Sequence, residues 1–144
     1  MSFKKVLIIR LSSIGDIVLT TPIIRCLKKQ HKCIIHYVTK FKYLQLIELN
    51  PYIDKTYSIQ KNVSEIILDL KKENYDYIVD LHNNLRSFFL KTKLNVSSNT
   101  IYKQSFEKWL YINTGLNLLT GTHVVDKYFK TIKKITINND GEGL

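Results

Sequence analysis

Only two cysteines occur, Cys26 and Cys33, with neither CxxC spacing nor the even framework of a disulfide-stapled scaffold, so a reduced cytoplasmic compartment is expected. Long apolar runs are missing as well. Met-Ser-Phe-Lys-Lys leads into about five apolar residues, too few for a signal-peptide core or a membrane span. GxGxxG is absent, and so is GxxxxGK followed by Ser or Thr, which leaves neither dinucleotide binding nor a Walker-type phosphate cradle supported. His31, His36, His82 and His123 share no metal-ligand spacing with one another or with the cysteines, so no metal cofactor is expected. No internal repeat is visible.

Acidic residues are also scarce: 12 Asp and Glu face 22 Lys and Arg, a formal charge of +10. An anionic partner is the direct reading, whether nucleic acid, an anionic membrane surface or a phosphorylated or carboxylated substrate. A plainer account competes with it. Lys28-Lys29, Lys71-Lys72 and Lys133-Lys134 each fall late in an expected helix, where cations complement the helix dipole.

What is present is a globular composition, 44% apolar and 24% charged, in 144 residues that fit one domain. Val6 to Ile9 is an unbroken apolar run, the pattern of a strand covered on both faces in a parallel sheet. Ile14, Ile17, Val18, Ile24 and Leu27 then recur at helical spacing, and Pro22 predicts either a kink or a second helix beginning there. Further strands are expected at Cys33 to Val38, Lys55 to Ile59, Tyr75 to Leu81 and Thr100 to Tyr102. Helical segments are expected at Tyr43 to Leu49, Val63 to Lys72 with Asn62 or Ser64 as cap, Leu85 to Lys91, Phe106 to Asn113 and His123 to Lys134. This alternation predicts an α/β, Rossmann-like doubly wound parallel sheet in strand order 3-2-1-4-5, spanning residues 1–137. Residues 138–144 lose all periodicity and read as a linker or an unfinished end.

Two turns at the carboxyl ends of expected strands are candidate sites, because ligands of such sheets settle there. Ser12-Ser13-Ile14-Gly15-Asp16 follows the first strand. Asp16 suits a general base accepting a proton from a substrate hydroxyl, and it equally suits the third position of a Ser13-x-x-Asp16 capping box. Asp80-Leu81-His82-Asn83-Asn84-Leu85-Arg86-Ser87 follows the fourth strand. His82, Asn83 and Arg86 would offer hydrogen bonds and one fixed charge to a carboxylate or phosphate; the competing reading is an ordinary turn with Arg86 paired to a neighbouring acid. Phe88, Phe89, Phe106, Trp109 and Tyr111, interleaved with Lys91, Lys93, Lys103 and Lys108, would suit a nucleic-acid platform, although their helical spacing favours packing.

Ile-Ile-Arg-Leu-Ser-Ser-Ile-Gly-Asp-Ile-Val-Leu-Thr-Thr-Pro at the start, the Asp80 to Ser87 segment, Lys103-Gln104-Ser105-Phe106-Glu107-Lys108-Trp109-Leu110 and His123-Val124-Val125-Asp126-Lys127-Tyr128 occur in this order. Together, across residues 4 to 134, they resemble the N-terminal half of glycosyltransferase family 9, the ADP-heptose:lipopolysaccharide heptosyltransferases. The resemblance implies the acceptor-side domain of a GT-B enzyme. It further implies inverting, metal-independent transfer of heptose from ADP-heptose to the lipopolysaccharide inner core, on the cytoplasmic side and possible peripheral contact with the inner membrane. Asp16 would be the catalytic base, with Ser12, Ser13, Gly15, His82, Asn83, Arg86 and Lys103 at the acceptor. The family's donor-binding domain is expected beyond residue 144, so the 144 residues alone are expected to be inactive. Nucleic acid is no partner on this reading. The rival reading is a non-catalytic basic module for nucleic acid or anionic surfaces, marked by steeply salt-dependent binding.

Overall fold

A computed structural model describes residues 3–101, 124–132 and 137–144 of the chain. Five parallel strands, β1 (Lys5–Ile9), β2 (Ile34–Lys40), β3 (Lys55–Ile59), β4 (Tyr77–Asp80) and β5 (Ser98–Thr100), lie in the order β3-β2-β1-β4-β5, as the alternation predicts. The connecting helices are α1 (Ile14–Val18), α2 (Thr21–His31), α3 (Ile67–Lys72), α4 (Leu85–Leu94) and α5 (Val124–Thr131), with short 3₁₀ turns at Phe41–Leu46 and Val63–Glu65.

Successive side chains of a strand point to opposite faces, so β1 feeds two cores. Val6 and Ile8 pack with Ile23, Ile24 and Leu27 of α2 and with Tyr128 of α5. Leu7 and Ile9 pack on the other side with Ile66, Leu70 and Leu90. No residue from Val6 to Ile9 retains any exposure, which explains why the run reads as uninterrupted.

Of the two expectations at Pro22, the second holds. The Thr20 and Thr21 hydroxyls donate to the carbonyls of Ile17 (2.6 Å) and Val18 (2.9 Å), closing α1, and Pro22 sits in the first turn of α2, where its missing N–H costs nothing. Lys32 ends α2 in the left-handed conformation, φ 51°.

Elsewhere the boundaries differ from expectation for local reasons. The 43–49 segment forms a 3₁₀ turn at Phe41–Leu46. The 63–72 segment splits, because Asn62 and Glu65 make a reciprocal capping box whose Glu65 carboxylate collects the N–H groups of Gln60, Lys61 and Asn62. β5 lies at Ser98–Thr100 rather than 100–102, because Ile78 and Asp80 of β4 pair with Ser98 and Thr100. The expected helix at 106–113 lies outside the described residues.

Residues 137–144 carry no regular secondary structure, yet they are bound to α2. Gln30 donates to the Asn138 carbonyl (2.6 Å), and the Arg25 guanidinium donates twice to Asp140 (2.8 and 2.7 Å) and once to the Gly143 carbonyl (2.7 Å).

Candidate functional site

β1 delivers Arg10 to the carboxyl edge of the sheet, and the five residues after it turn back to place Asp16 beside it. Arg10 Nη2 lies 2.8 Å from Asp16 Oδ2, and Arg10 Nη1 donates to the Leu81 carbonyl at 2.6 Å. One guanidinium thereby ties the ends of the two central strands to the carboxylate. The Ser13 hydroxyl donates to the same Oδ2 at 2.9 Å. The Ser13 backbone N–H also favours the ionised carboxylate, and the side chain is 37% exposed.

Ser13 is therefore the N-cap residue of α1 by position only. Its side chain makes no cap hydrogen bond, so the reciprocal capping box is not complete: the hydroxyl donates instead to the carboxylate that Arg10 holds, while the Ser13 backbone N–H favours that carboxylate. Burial pushes the Asp16 pKa up, but the Arg10 charge and the Ser13 hydrogen bonds outweigh it and leave the carboxyl below its ordinary value. Asp16 is thus ionised at neutral pH. Tyr128 of α5 donates to the Asp16 carbonyl at 3.2 Å, and burial pushes its own hydroxyl up to about 12, so it stays a neutral donor.

Ser12 is half-buried and Ser13 exposed in this turn, and the peptide between them is cis. Gly15 has an ordinary φ, and a Cβ built on it would meet nothing within 4 Å. The fold does not need glycine there; its absent side chain leaves open space next to Asp16.

At the end of β4, Asp80 is fully buried and organises the second turn. Its Oδ1 accepts the backbone N–H groups of His82 (3.0 Å) and Asn83 (2.9 Å), while Oδ2 faces Lys91 Nζ at 2.9 Å. Asn83 takes φ 53°, a conformation asparagine tolerates, and its side-chain Nδ2 donates to the Ile101 carbonyl at 2.8 Å. His82 is buried. Both residues therefore shape the turn, and Asn83 has its amide N–H engaged there. Asn84 caps α4 through a reciprocal exchange with Ser87.

Arg86 behaves differently. It is exposed, forms no ion pair among the described residues, and lines an open cleft of about 530 Å³ with Lys40, Phe41, Lys42, Ile59 and Gln60. These residues follow the carboxyl ends of β2 and β3. Asp16 does not line this cleft, so the two sequence-derived turns contribute to separate parts of one sheet edge. Lys103, the remaining candidate, lies outside the described residues, as does His123.

Arg10, Lys40, Lys42 and Gln60 were not singled out from the sequence. The signal for them was available: each lies within two residues of the carboxyl end of β1, β2 or β3, where a parallel sheet gathers ligand contacts. Among the described residues no three His, Cys, Asp or Glu side chains come together to hold a metal ion, and no helix is long and apolar enough to cross a membrane.

No profile of a known protein family matches the chain. It is 29% identical over 136 residues to lipopolysaccharide heptosyltransferase 1 of Campylobacter coli, an alignment covering 86% of this chain and 39% of that protein. Among solved structures, a glycosyl transferase family 9 protein from Veillonella parvula superimposes with a TM-score of 0.74 at 21% identity, covering 99% of this chain and 43% of that one. The E. coli heptosyltransferase WaaC with ADP superimposes with a TM-score of 0.73 at 18% identity, covering 96% of this chain and 50% of that one. At such identities the structural likeness shows the fold. The chain spans about two fifths of the curated relative and half or less of these structures. The sequence similarity and the shared fold agree with the four segments read in order from the sequence: the chain is similar in sequence to part of a lipopolysaccharide heptosyltransferase and has the fold of part of these solved structures.

Proposed function

We propose that this chain is the acceptor side of a transferase that moves heptose from ADP-heptose to the inner core of lipopolysaccharide, with Asp16 as the base. The observation that carries the reading is the Asp16 carboxylate itself. Arg10 and the Ser13 hydroxyl hold Oδ2, and the carboxylate is 37% exposed next to Gly15, where a side chain would meet nothing within 4 Å. An acceptor hydroxyl entering there would lose its proton to Oδ1 as its oxygen forms a bond to the anomeric carbon; the bond from that carbon to the ADP phosphate breaks, and ADP leaves with its electron pair. One such displacement inverts the anomeric centre.

A carboxylate with a lowered pKa is a weak base toward a resting alcohol. In a single displacement this suffices, because the hydroxyl becomes strongly acidic as its oxygen bonds to carbon, and proton transfer comes late. Fixing the carboxylate by Arg10 also removes the cost of orienting it during the reaction.

Arg86, Lys40 and Lys42 hold the acidic acceptor in the cleft at the ends of β2 and β3, where Arg86 can pair in two-pronged fashion with a phosphate or carboxylate. His82 and Asn83 position the turn that presents Arg86, and Lys103 adds a further acceptor contact. The donor is bound by residues outside this chain, the transfer needs no metal, and residues 1–144 alone do not turn over. The work is done at the cytoplasmic face of the inner membrane.

The test is Asp16→Ala in the whole protein, assayed with ADP-heptose and a core acceptor. Transfer is abolished while the unfolding midpoint is kept; unchanged turnover removes Asp16 from the mechanism.

A further inference from the structure

Between Asp80 and Glu107 the chain carries no acidic residue, and α4, which lies in that interval, holds three cations. Lys91 is directed inward to Asp80. Arg86 and Lys93 remain exposed with no ion pair among the described residues, and Lys93 Nζ lies 5.4 Å from the centre of the Phe89 ring. On the same helix Leu85 is 87% exposed, Phe88 63% and Phe89 40%, at spacings of three and four residues that put them on one face. Ser87 and Leu90 are buried, so α4 is already seated on the sheet through its other side. Phe41, 55% exposed, shares the cleft at the strand ends with Arg86.

Three large exposed apolar side chains next to one another, flanked by cations that form no ion pair among the described residues, mark an interaction surface. The occupant must accept apolar side chains and cations together. A second copy of the chain, meeting this face symmetrically, would bring Arg86 and Lys93 against their own copies. A nucleic acid would stack on the two phenylalanines but gives Leu85, the most exposed of the three, nothing to enter.

We propose that this face docks on an anionic lipid bilayer. Leu85, Phe88 and Phe89 enter the boundary between headgroups and acyl chains, and Lys93 meets lipid phosphate, while Arg86 faces the cleft beside them. The contact rests on the transferase reading only for its purpose, which is to bring the acceptor cleft to a membrane-borne substrate.

The experiment is sedimentation of the whole protein with vesicles of phosphatidylglycerol and phosphatidylethanolamine, and with vesicles of phosphatidylcholine alone, over a range of salt. Binding to the anionic vesicles is expected, falling with salt, with little to the zwitterionic ones. Phe88→Ser alone and the triple variant L85S/F88S/F89S should lower anionic-vesicle affinity at least tenfold, keep the unfolding midpoint, and leave transfer to a water-soluble acceptor fragment unchanged. Lys93→Glu should weaken binding and flatten its salt dependence. Equal binding to both vesicle types overturns the proposal. So does unchanged vesicle affinity in Phe88→Ser and Lys93→Glu, or loss in these variants of self-association or RNA binding while vesicle binding stays the same. Loss of transfer in Asp16→Ala with vesicle binding intact, or the reverse, separates this inference from the transferase reading.

Discussion

Replacing Lys91 by Met removes the charge that faces the one fully buried carboxylate among the described residues, Asp80. Two backbone N–H groups, at 3.0 and 2.9 Å, still solvate Oδ1, but Oδ2 loses its cation. Breaking a buried pair from one side costs about 3–5 kcal/mol, and because Lys91 is 15% exposed and water can follow it inward, about 2–4 kcal/mol is expected. With roughly 2.1 cal/mol/K of unfolding entropy per residue, 144 residues change by about 0.3 kcal/mol per kelvin, so a loss of about 3 kcal/mol lowers the midpoint by about 10 °C. Asp80→Asn should cost less, about 1–2 kcal/mol, because the amide oxygen keeps the two backbone bonds and Lys91 can reach solvent or stay on Thr100. In the double variant the penalties should fail to add by about 1–3 kcal/mol, since no buried charge is left unpaired. Urea unfolding of the four proteins measures all three quantities. A cost below about 1 kcal/mol for Lys91→Met, or additive single effects, would refute the claim that this pair holds the turn presenting Arg86.

Arg10→Met should raise the Asp16 pKa, since the attraction that outweighs burial is removed; the acid limb of kcat/KM then moves to higher pH, and an unmoved limb would show that Arg10 does not set the base. Glu73 is held at about 2 by hydrogen bonds from Lys55, Tyr57 and Lys5. Its contribution to stability is therefore complete above the ordinary glutamate value of about 4.5 and is lost as pH falls toward about 2. Glu73→Gln should lower stability at pH 7 and flatten the dependence between those values, which urea midpoints across pH 2 to 7 would check.

The sheet was legible because its signal is redundant. Each of β1, β2 and β4 is buried on both faces, so its apolar run appears without knowledge of its neighbours, and alternation with helices then fixes the strand order. The Ser13-x-x-Asp16 spacing was ambiguous in principle, since a capping box and a solvent-facing carboxylate need the same residues. Arg10 adds an ion pair that neither reading foresaw, because nothing in local spacing reveals that a strand-terminal arginine will fold back on a residue six positions later. The cleft at the strand ends was harder still. Lys40, Lys42, Gln60 and Arg86 come from three separate connections, and only the sheet order makes them neighbours. Residues 138–144 show no periodicity because their order comes from side chains of α2, chiefly the Arg25 fork on Asp140, which leaves no trace in local patterning.

The excess positive charge can now be apportioned, and its two explanations apply to different places. Lys28 and Lys29 lie in the last turn of α2, and Lys71 and Lys72 in that of α3, where helix-dipole complementarity accounts for them without a ligand; Lys28 and Lys29 also pair with Asp54 and Glu142. Lys5 and Lys55, at the starts of β1 and β3, are satisfied by Glu73. None of this applies at the opposite edge. Lys40, Lys42 and Arg86 stand at strand ends and in the first turn of a helix, where a cation opposes the helix dipole, and no carboxylate answers them among the described residues. An arrangement unfavourable to the isolated chain, repeated on two connections that the fold brings to one cleft, is one that an anion arriving from outside would offset. Arg86→Gln should therefore raise KM for an anionic acceptor while sparing or slightly raising stability, and a loss of stability instead would mean that Arg86 serves the fold.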